Sequence, residues 1–310
     1  MEKIKILSVN LSEKKGIIKK PVKAITILTS GIEGDAHAGD WHRQISLLGI
    51  ESIEKMEMSA SRRFKSGDFA ENITVSGFPL FNMRPLDKLV SGDVVLEITQ
   101  IGKKCHGEKS AIYKETGDCV MPKEGIFARV LQGGILRAGD HFIYHPRIIR
   151  VKIITLSDRA SKGEYEDQSG PLLEKLTRDN FLKENRQVTI ETVILPDDAD
   201  KLVRQIRKYV QEKADVIFTT GGTGLGPRDI TPDVIRPLLT KEIPGIMEMI
   251  RVKYGMQFAN ALVSRSIAGL IGETLVYALP GSPKAAREYA EEIFKTVEHS
   301  LRMIHRIDSH

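Results

Sequence analysis

The sequence has few cysteines and lacks any long apolar run. Its two cysteines, Cys105 and Cys119, are not part of a CxxC pair, and two thiolates do not complete a structural zinc site. No apolar segment approaches the roughly 18 residues that a transmembrane helix requires. The N-terminal MEKIKILSVNL reads as a strand rather than a signal peptide. We therefore expect a cytoplasmic protein without a membrane partner and with reduced thiols.

Basic residues are not concentrated in any segment. The formal net charge of +5 is mild for 310 residues, and no basic run is interleaved with aromatic residues. This pattern favours a small anionic ligand and argues against nucleic acid as a partner. The hydrophobic and charged fractions of 41% and 28% are ordinary for a globular protein.

The residue pattern changes near Pro146, which predicts two domains, residues 1–146 and 147–310. The first half contains short strand-like runs between glycine turns and one helix predicted over residues 46–58, which favours a β-rich barrel or an α+β fold built on a strongly bent sheet. In the second half strand and helix patterns alternate, so we predict a doubly wound, mainly parallel α/β sheet.

Ligands of such sheets bind beyond the carboxyl ends of the strands, where four loops of the second half are expected. The first loop carries Ser157, Asp158 and Arg159, whose alternative role is a turn with a helix cap. The second carries Asp197, which either caps the next helix or faces the cleft as a metal ligand. Both alternatives remain open from the residues alone.

The third loop, TGGTGLGPRD at residues 220–229, is rich in glycine. Glycine lets the backbone adopt positive φ and approach a phosphate closely, although the loop matches neither Walker A nor GxGxxG. Asp229 would repel a phosphate unless a cation lay between them, and Mg²⁺ is the usual solution. The fourth loop, LPGSPKA, holds Ser282, a candidate helix cap, and Lys284, which could meet an anion.

Five motifs of the second half occur in the order of one known family. They are IITLSDRASKGEYEDQSGP, LPDD, ADVIFTTGGTGLGPRDITPD, PGIMEMIR and ALVSRSIAGLIGETLVYALPGSPKA. Over residues 148–310 the chain thereby resembles the MogA/MoaB family of molybdenum cofactor biosynthesis. The resemblance implies an enzyme that transfers AMP from Mg-ATP to molybdopterin, releasing pyrophosphate, and a homo-oligomer, either a trimer or a hexamer. The alternative is a carrier that binds the cofactor or molybdopterin without chemistry.

The resemblance also implies roles for individual residues. Asp197 and Asp229 match the two functional acids of the family, so we assign them to catalysis and to Mg²⁺. The residues implied to bind nucleotide and pterin are Ser157, Asp158, Arg159, Thr220, Gly221, Gly222, Thr223, Gly224, Gly281, Ser282 and Lys284.

The first half carries a polar cluster that is unusual for a core strand. His37 and His42 are spaced i, i+5, which suits neither face of a strand or helix, so a structural or ligand-binding role is preferred to a metal site. Cys105 follows Lys103 and Lys104, and neighbouring cations favour its reactive thiolate.

The same half resembles a MOSC domain over residues 2–146. The matching segments are GIEGDAHAGDWHRQISLL, FAENITVSGF and ITQIGKKCHGEKSAIYKETGDCVMPKEGIFARVLQGG. This resemblance implies a β-rich barrel that binds molybdenum cofactor or pterin, with Cys105 as a possible sulfur carrier. Ser110 lies near the place where close relatives have a second cysteine, which argues against a two-cysteine relay in that loop.

Overall fold

The computed structural model describes residues 2–15, 17–60, 62–103, 113 and 119–307. The chain divides into two compact units. The first extends to Arg147 and the second is Ile148–His305, while Arg306 and Ile307 group with the first. No helix within the described residues is long and apolar enough to span a membrane.

The first unit is built around a closed barrel of seven strands, in the order β1-β11-β7-β8-β9-β5-β6 and back to β1. A ring with an odd number of strands cannot alternate direction throughout, and the pair β5–β6 is parallel. A separate three-stranded sheet has the order β10-β3-β4. The strands are β1 (Lys3–Leu11), β2 (Lys20–Val22), β3 (Ala24–Leu28), β4 (Gly31–Ile32), β5 (Ile45–Gly49), β6 (Ile73–Ser76), β7 (Lys88–Ser91), β8 (Val94–Ile101), β9 (Ile126–Gln132), β10 (Gly134–Arg137) and β11 (His141–His145).

The helix predicted over residues 46–58 begins later than expected. Ile45–Gly49 forms the wholly buried strand β5, and helix α1 spans Ile50–Ala60. A short apolar run that is buried on both sides has no periodicity that separates strand from helix, which explains the error. The helix α1 provides the crossover that the parallel pair β5–β6 requires. A second short helix in this unit, α2, is Met121–Glu124.

A buried polar network lies within the first unit. The Lys19 Nζ and Asp35 Oδ2 atoms are 2.5 Å apart. Glu71 is completely buried, and its Oε1 accepts hydrogen bonds from the Gly67 N–H at 2.6 Å and the Thr74 hydroxyl at 2.8 Å. Its Oε2 is buried and has no hydrogen-bond partner among the described atoms. Burial therefore raises the pKa of Glu71 above its ordinary value.

The second unit contains one six-stranded sheet in the order β13-β12-β14-β17-β16-β15. The pairs among the first four strands are parallel, whereas β16 runs antiparallel to both of its neighbours. Its strands are β12 (Ile148–Leu156), β13 (Gln187–Leu195), β14 (Val216–Thr220), β15 (Lys241–Glu242), β16 (Ile267–Ile271) and β17 (Thr274–Leu279). Its helices are α3 (Asp158–Ser161), α4 (Ser169–Lys183), α5 (Ala199–Gln211), α6 (Thr231–Ile235), α7 (Pro244–Gly255) and α8 (Pro283–Ile304).

Helices cover both faces of this sheet, because its central strands are apolar on both sides. Ile153 lies in a core with residues of α4, α7 and α8, whereas the next residue, Ile154, lies in a second core with residues of α5 and α6. Helix α5 packs one face against the sheet, since Leu202, Ile206 and Tyr209 are fully buried at helical spacing. Strands β12, β13, β14 and β17 all end at the same edge, where the four loops considered above begin.

We predict that Glu71→Gln changes how the stability of the first unit depends on pH. Because the folded-state pKa of Glu71 is raised, its contribution to stability is full below the ordinary value of 4.5 and is lost as pH rises through the folded-state pKa. Glutamine cannot ionise. The free energy of unfolding of the variant should therefore rise relative to that of the wild type by up to about 1.4 kcal/mol for each pH unit between the ordinary and the folded-state pKa of Glu71.

Denaturant unfolding followed by the fluorescence of the single tryptophan, Trp41, measures this difference. The exposed Glu33→Gln serves as the control. If the free energy of unfolding depended on pH in the same way in the wild type and in Glu71→Gln, ionisation of Glu71 would not destabilise the folded state and the prediction would be wrong.

Candidate functional site

A cleft of about 790 Å³ opens at the carboxyl edge of the parallel strands. The loops after β12, β13, β14 and β17 all contribute to it, as is common for open α/β sheets. Of the site residues predicted in the second half, twelve line the cleft: Ser157, Asp158, Arg159, Asp197, Thr220, Gly221, Gly222, Thr223, Gly224, Asp229, Gly281 and Ser282.

Lys284 is the predicted residue that does not line this cleft. Its ammonium lies 3.7 Å from the centre of the Phe258 ring and 3.8 Å from Glu288 Oε1. The Ser282 hydroxyl caps helix α8 by accepting the Ala285 N–H at 3.3 Å. Lys284 is thus engaged along the first turn of α8 rather than at the cleft.

The glycine loop adopts a backbone that other residues would disturb. Gly221 has φ +108°, and a Cβ there would lie 2.3 Å from the Leu156 carbonyl oxygen. Gly222 has φ +63°, and its Cβ would lie 2.5 Å from the Thr231 hydroxyl. The N–H groups of Gly222, Thr223 and Gly224 donate to no other atom of the described chain. Three successive amides in such a turn form a nest suited to an anion.

The carboxylate of Asp229 folds back over this loop. Its Oδ2 accepts the Gly226 N–H at 2.8 Å. A Cβ at Gly224 would lie 2.7 Å from the same oxygen, so a side chain there would displace the carboxylate. Glycine at this position therefore allows an acid and a phosphate cradle to lie side by side.

The structure excludes one of the two alternatives left open for Asp197, the helix cap. The residue that caps helix α5 is Asp198, whose Oδ1 accepts the Lys201 N–H at 2.9 Å. Asp197 instead pairs with the loop after β12. The Asp158 N–H donates to Asp197 Oδ2 at 3.2 Å, and the Asp197 N–H donates to Asp158 Oδ1 at 3.1 Å. Asp197 is therefore held in the cleft by a neighbouring loop.

Electrostatics in the cleft favour a bound cation. Burial raises the pKa of Asp197, the negative charges of Asp158 and Asp229 raise it further, and Arg228 opposes them. The Arg228 guanidinium forms an ion pair with Asp158 Oδ2. Four carboxylates, those of Asp158, Asp167, Asp197 and Asp229, line the cleft with the guanidinium groups of Arg159 and Arg228, so a bound cation would relieve repulsion among the acids.

The described residues contain no group of three His, Cys, Asp or Glu side chains arranged to hold a metal ion. Mg²⁺ is commonly bound by one or two carboxylates together with substrate phosphates, so a protein cage of that size is not required. Asp197 and Asp229 supply hard oxygen ligands beside an anion cradle, and this donor set fits Mg²⁺.

The remaining polar side chains of the cleft mostly hold its loops together. The Ser157 hydroxyl caps the short helix α3 by accepting the Ala160 N–H at 3.2 Å, which is the alternative considered for it. The Thr220 hydroxyl donates to the Pro280 carbonyl at 2.9 Å, and the Ser169 hydroxyl donates to the Gly281 carbonyl at 2.6 Å. Arg159 lies over the Tyr165 ring at 5.4 Å.

Sequence reasoning missed two residues that support the cleft. Asp167 accepts the Thr155 hydroxyl at 2.6 Å and the Ser169 N–H at 2.9 Å. Arg265 precedes β16 and donates to the glycine loop at the Gly224 carbonyl, 41 positions earlier in the chain. Asp167 lies in the loop after β12, where no local sequence feature marks it as important. Arg265 is identified only by its contacts with residues that are distant in sequence.

The first unit has its own cavity, of about 400 Å³, lined by cations and aromatic rings. The Arg43 guanidinium carbon lies 5.0 Å from the centre of the Trp41 ring and 6.0 Å from that of Phe127. The Arg43 Nε is buried and donates to no described atom. Buried donors without a partner are uncommon, so this one points to a missing acceptor. The lining residues are Lys15, His37, Trp41, Arg43, Ser46, Ala70, Asn72, Lys103, Met121 and Phe127.

The predicted histidine and cysteine features of this unit have different outcomes. The His37 Nδ1 lies 3.4 Å from Asp35 Oδ1, and its ring stacks near Trp41 with centres 6.4 Å apart. Cys119 is buried among apolar side chains, as a small hydrophobic residue would be. Cys105, the predicted sulfur carrier, lies outside the described residues, and so does Ser110.

Two family profiles match the chain in separate regions. The profile described as "Probable molybdopterin binding domain" matches residues 152–299, and that of the MOSC domain matches residues 34–142. A molybdopterin adenylyltransferase of Helicobacter pylori is 33% identical over 157 residues, which are 50% of this chain and 88% of that protein.

Other similar proteins also match about half of this chain. The molybdenum cofactor synthesis protein cinnamon of Drosophila melanogaster is 38% identical over 153 residues, 49% of this chain, but the match spans only 25% of the length of cinnamon. The tungsten cofactor synthesizing protein MoaB of Pyrococcus furiosus is 34% identical, with a TM-score of 0.46. The match spans 98% of the Pyrococcus furiosus protein and 51% of this chain.

We predict that Gly221→Ala destabilises the second unit by more than a simple positive-φ penalty. A left-handed backbone costs a non-glycine residue about 1–2 kcal/mol, and the new Cβ also meets the Leu156 carbonyl at 2.3 Å. Gly272, at φ +61°, has no atom within 4 Å of the place that a Cβ would occupy, so Gly272→Ala is the matched control. Denaturation followed by circular dichroism compares the two, and equal losses of stability would contradict the prediction.

Proposed function

We propose that this chain, whose second half belongs to the MogA/MoaB family of molybdenum cofactor biosynthesis proteins and whose first half contains a MOSC domain, transfers AMP from ATP to molybdopterin. The observation that carries this proposal is the cleft in which unengaged backbone amides adjoin the carboxylates of Asp197 and Asp229. A carrier without chemistry needs the amides to hold a phosphate but has little use for carboxylates beside them.

In the proposed reaction an oxygen of the molybdopterin phosphate attacks the α-phosphorus of ATP. The bond from that phosphorus to the bridging oxygen breaks, and pyrophosphate leaves with the electron pair. No protein nucleophile is needed, so the chain contributes position and charge. The N–H groups of Gly222, Thr223 and Gly224 hold phosphate oxygens, while Ser157, Asp158, Arg159, Thr220, Gly281 and Ser282 complete the nucleotide and pterin pocket.

Asp197 and Asp229 are the residues proposed to hold Mg²⁺. The ion supplies neutralisation of phosphate charge during transfer. The Asp158 backbone orients Asp197, and the Gly226 N–H orients Asp229, so each carboxylate has one oxygen tied down. Its other oxygen remains available for the ion. Each acid thus enters the reaction in a fixed place, which limits the reorganisation needed when the substrates bind.

We predict that Asp197→Asn and Asp229→Asn each lower AMP transfer at least about a hundredfold, since each removes a charge that binds the ion directly. Asp198→Asn is the matched control, because asparagine also caps helices and Asp198 serves α5 rather than the cleft. Pyrophosphate release from Mg-ATP with molybdopterin measures the effect. Wild-type turnover in either variant would refute the assignment, and absence of release by the wild type would favour the carrier.

For the first unit we propose that the cavity at Arg43 binds a pterin that carries a phosphate, either molybdopterin or the finished cofactor. The Trp41 and Phe127 rings offer stacking surfaces to a planar heterocycle. Lys15, Arg43 and Lys103 offer positive charge to a phosphate, and the buried Arg43 Nε offers a donor that lacks an acceptor. Sulfur transfer by Cys105, and self-association through the second unit, stay predictions that mass spectrometry and sedimentation analysis of the full chain would test.

We predict that a pterin phosphomonoester quenches the fluorescence of Trp41, the only tryptophan of the chain, when it enters this cavity. Arg43→Gln should weaken binding about tenfold or more, because a charge-assisted hydrogen bond is lost. The exposed Arg137→Ala is the control. The unphosphorylated pterin should bind less tightly and respond little to Arg43→Gln, and an equal response would contradict phosphate recognition by Arg43.

A further inference from the structure

Arg265 makes an unusual set of bonds to the loop that follows β14. Its Nε donates to the Gly224 carbonyl at 2.8 Å, and its Nη2 donates to the Asp229 carbonyl. Its backbone N–H donates to the Thr223 carbonyl at 2.9 Å. Arg265 therefore binds the carbonyls at both ends of the turn from Gly224 to Asp229, and also the carbonyl of Thr223, the residue before that turn.

The Arg265 side chain is itself held in place. Its Nη1 contacts Asp233 Oδ1 at 2.8 Å and Oδ2 at 2.9 Å, and the side chain is 33% exposed. Asp233 lies in α6, which begins directly after the loop. The guanidinium thus joins the loop to the helix that follows it, with its planar fork directed at backbone carbonyls.

Arg265 lies outside the lining of the cleft that is proposed to hold the substrates. It does not line the 790 Å³ cleft but a second cavity of about 330 Å³. The carbonyls that it binds belong to the same peptide segment whose amides line the cleft. Its influence on a phosphate in the cleft must therefore pass through the loop.

We infer that Arg265 is a positioning residue for AMP transfer, which fixes the amide cradle at Gly222–Gly224 and the carboxylate of Asp229 in one geometry. This inference rests on the proposed function for its kinetic consequence. Its physical basis is that a loop anchored only by its own turns can shift by about an ångström, and misplacement of that size costs an enzyme on the order of a hundredfold in rate.

The test compares Arg265→Met, Arg265→Lys and Asp233→Asn. Arg265→Met should lower kcat for AMP transfer at least about tenfold while changing the KM for ATP much less, because the bonds that orient the groups in the transition state are lost. Lysine can reach one carbonyl but cannot form the fork, so its kcat should fall between those of methionine and wild type. Asp233→Asn keeps the carbonyl bonds and should have the smallest effect.

A second measurement does not depend on activity. Hydrogen exchange followed by mass spectrometry should show faster exchange in Arg265→Met at the hydrogen-bonded amides of this loop, which are those of Gly221, Gly226 and Asp229, with the strands of the same sheet unchanged. The control is Arg236→Met, which alters another arginine of the second cavity, one that pairs with Glu242 at 3.3 Å. It should leave both kcat and exchange as in the wild type.

The outcomes separate this inference from the proposed function. A lowered kcat with faster exchange confined to the loop supports positioning by Arg265. Wild-type kcat and exchange in Arg265→Met overturn it, and so does faster exchange throughout the second unit, which would mark a general structural role. If the wild type releases no pyrophosphate, the proposed function fails, while loop exchange still decides whether Arg265 orders the cradle.

Discussion

The cleft depends on how closely the backbone of Gly221 approaches its neighbours. The carbonyl oxygen of Leu156, at the end of β12, lies only 2.3 Å from where a Cβ of residue 221 would be, and a Cβ on Gly281 would lie 3.1 Å from the Gly221 Cα. Three loops after adjacent parallel strands therefore meet at one glycine. Because β14 lies between β12 and β17 in the sheet, a side chain at residue 221 would press on the end of β12, and a side chain at residue 281 would press on Gly221.

That meeting point explains why opposite electrostatic features coexist in one place. The amides of the glycine loop attract anions, yet the acids Asp158, Asp197 and Asp229 come from loops that the sheet order brings to the same edge. Burial, and after it the neighbouring acids, raise the pKa of Asp197 and so disfavour its charge until a cation arrives. A phosphate and a divalent ion together satisfy both sets of groups, whereas either alone leaves one set unpaired. This arrangement is consistent with the metal–phosphate pair of the proposed function.

The parts of this site that follow from local sequence were predictable, and those that depend on distant contacts were not. Buried strands and the rule for open sheets locate the loops of Asp197 and Asp229 without coordinates. The sequence does not decide which of Asp197 and Asp198 is the cap, since both precede the same helix. Arg265 has no local feature that connects it with a loop some 41 positions earlier. The prediction that a helix begins at residue 46 was wrong because burial, not periodicity, decides the conformation of a short apolar run.

The two units offer a phosphate-bearing pterin different kinds of recognition. The cleft of the second unit presents backbone amides, which are fixed by the fold and orient a phosphate for attack. The cavity of the first unit presents Trp41 and Phe127 rings and the long side chains of Lys15, Arg43 and Lys103. Aromatic rings can stack on a planar heterocycle, and the buried Arg43 Nε offers one fixed hydrogen-bond donor to a phosphate. In the proposed function, transfer at the phosphate therefore takes place in the cleft of the second unit, and the cavity of the first unit binds the pterin by its ring and its phosphate.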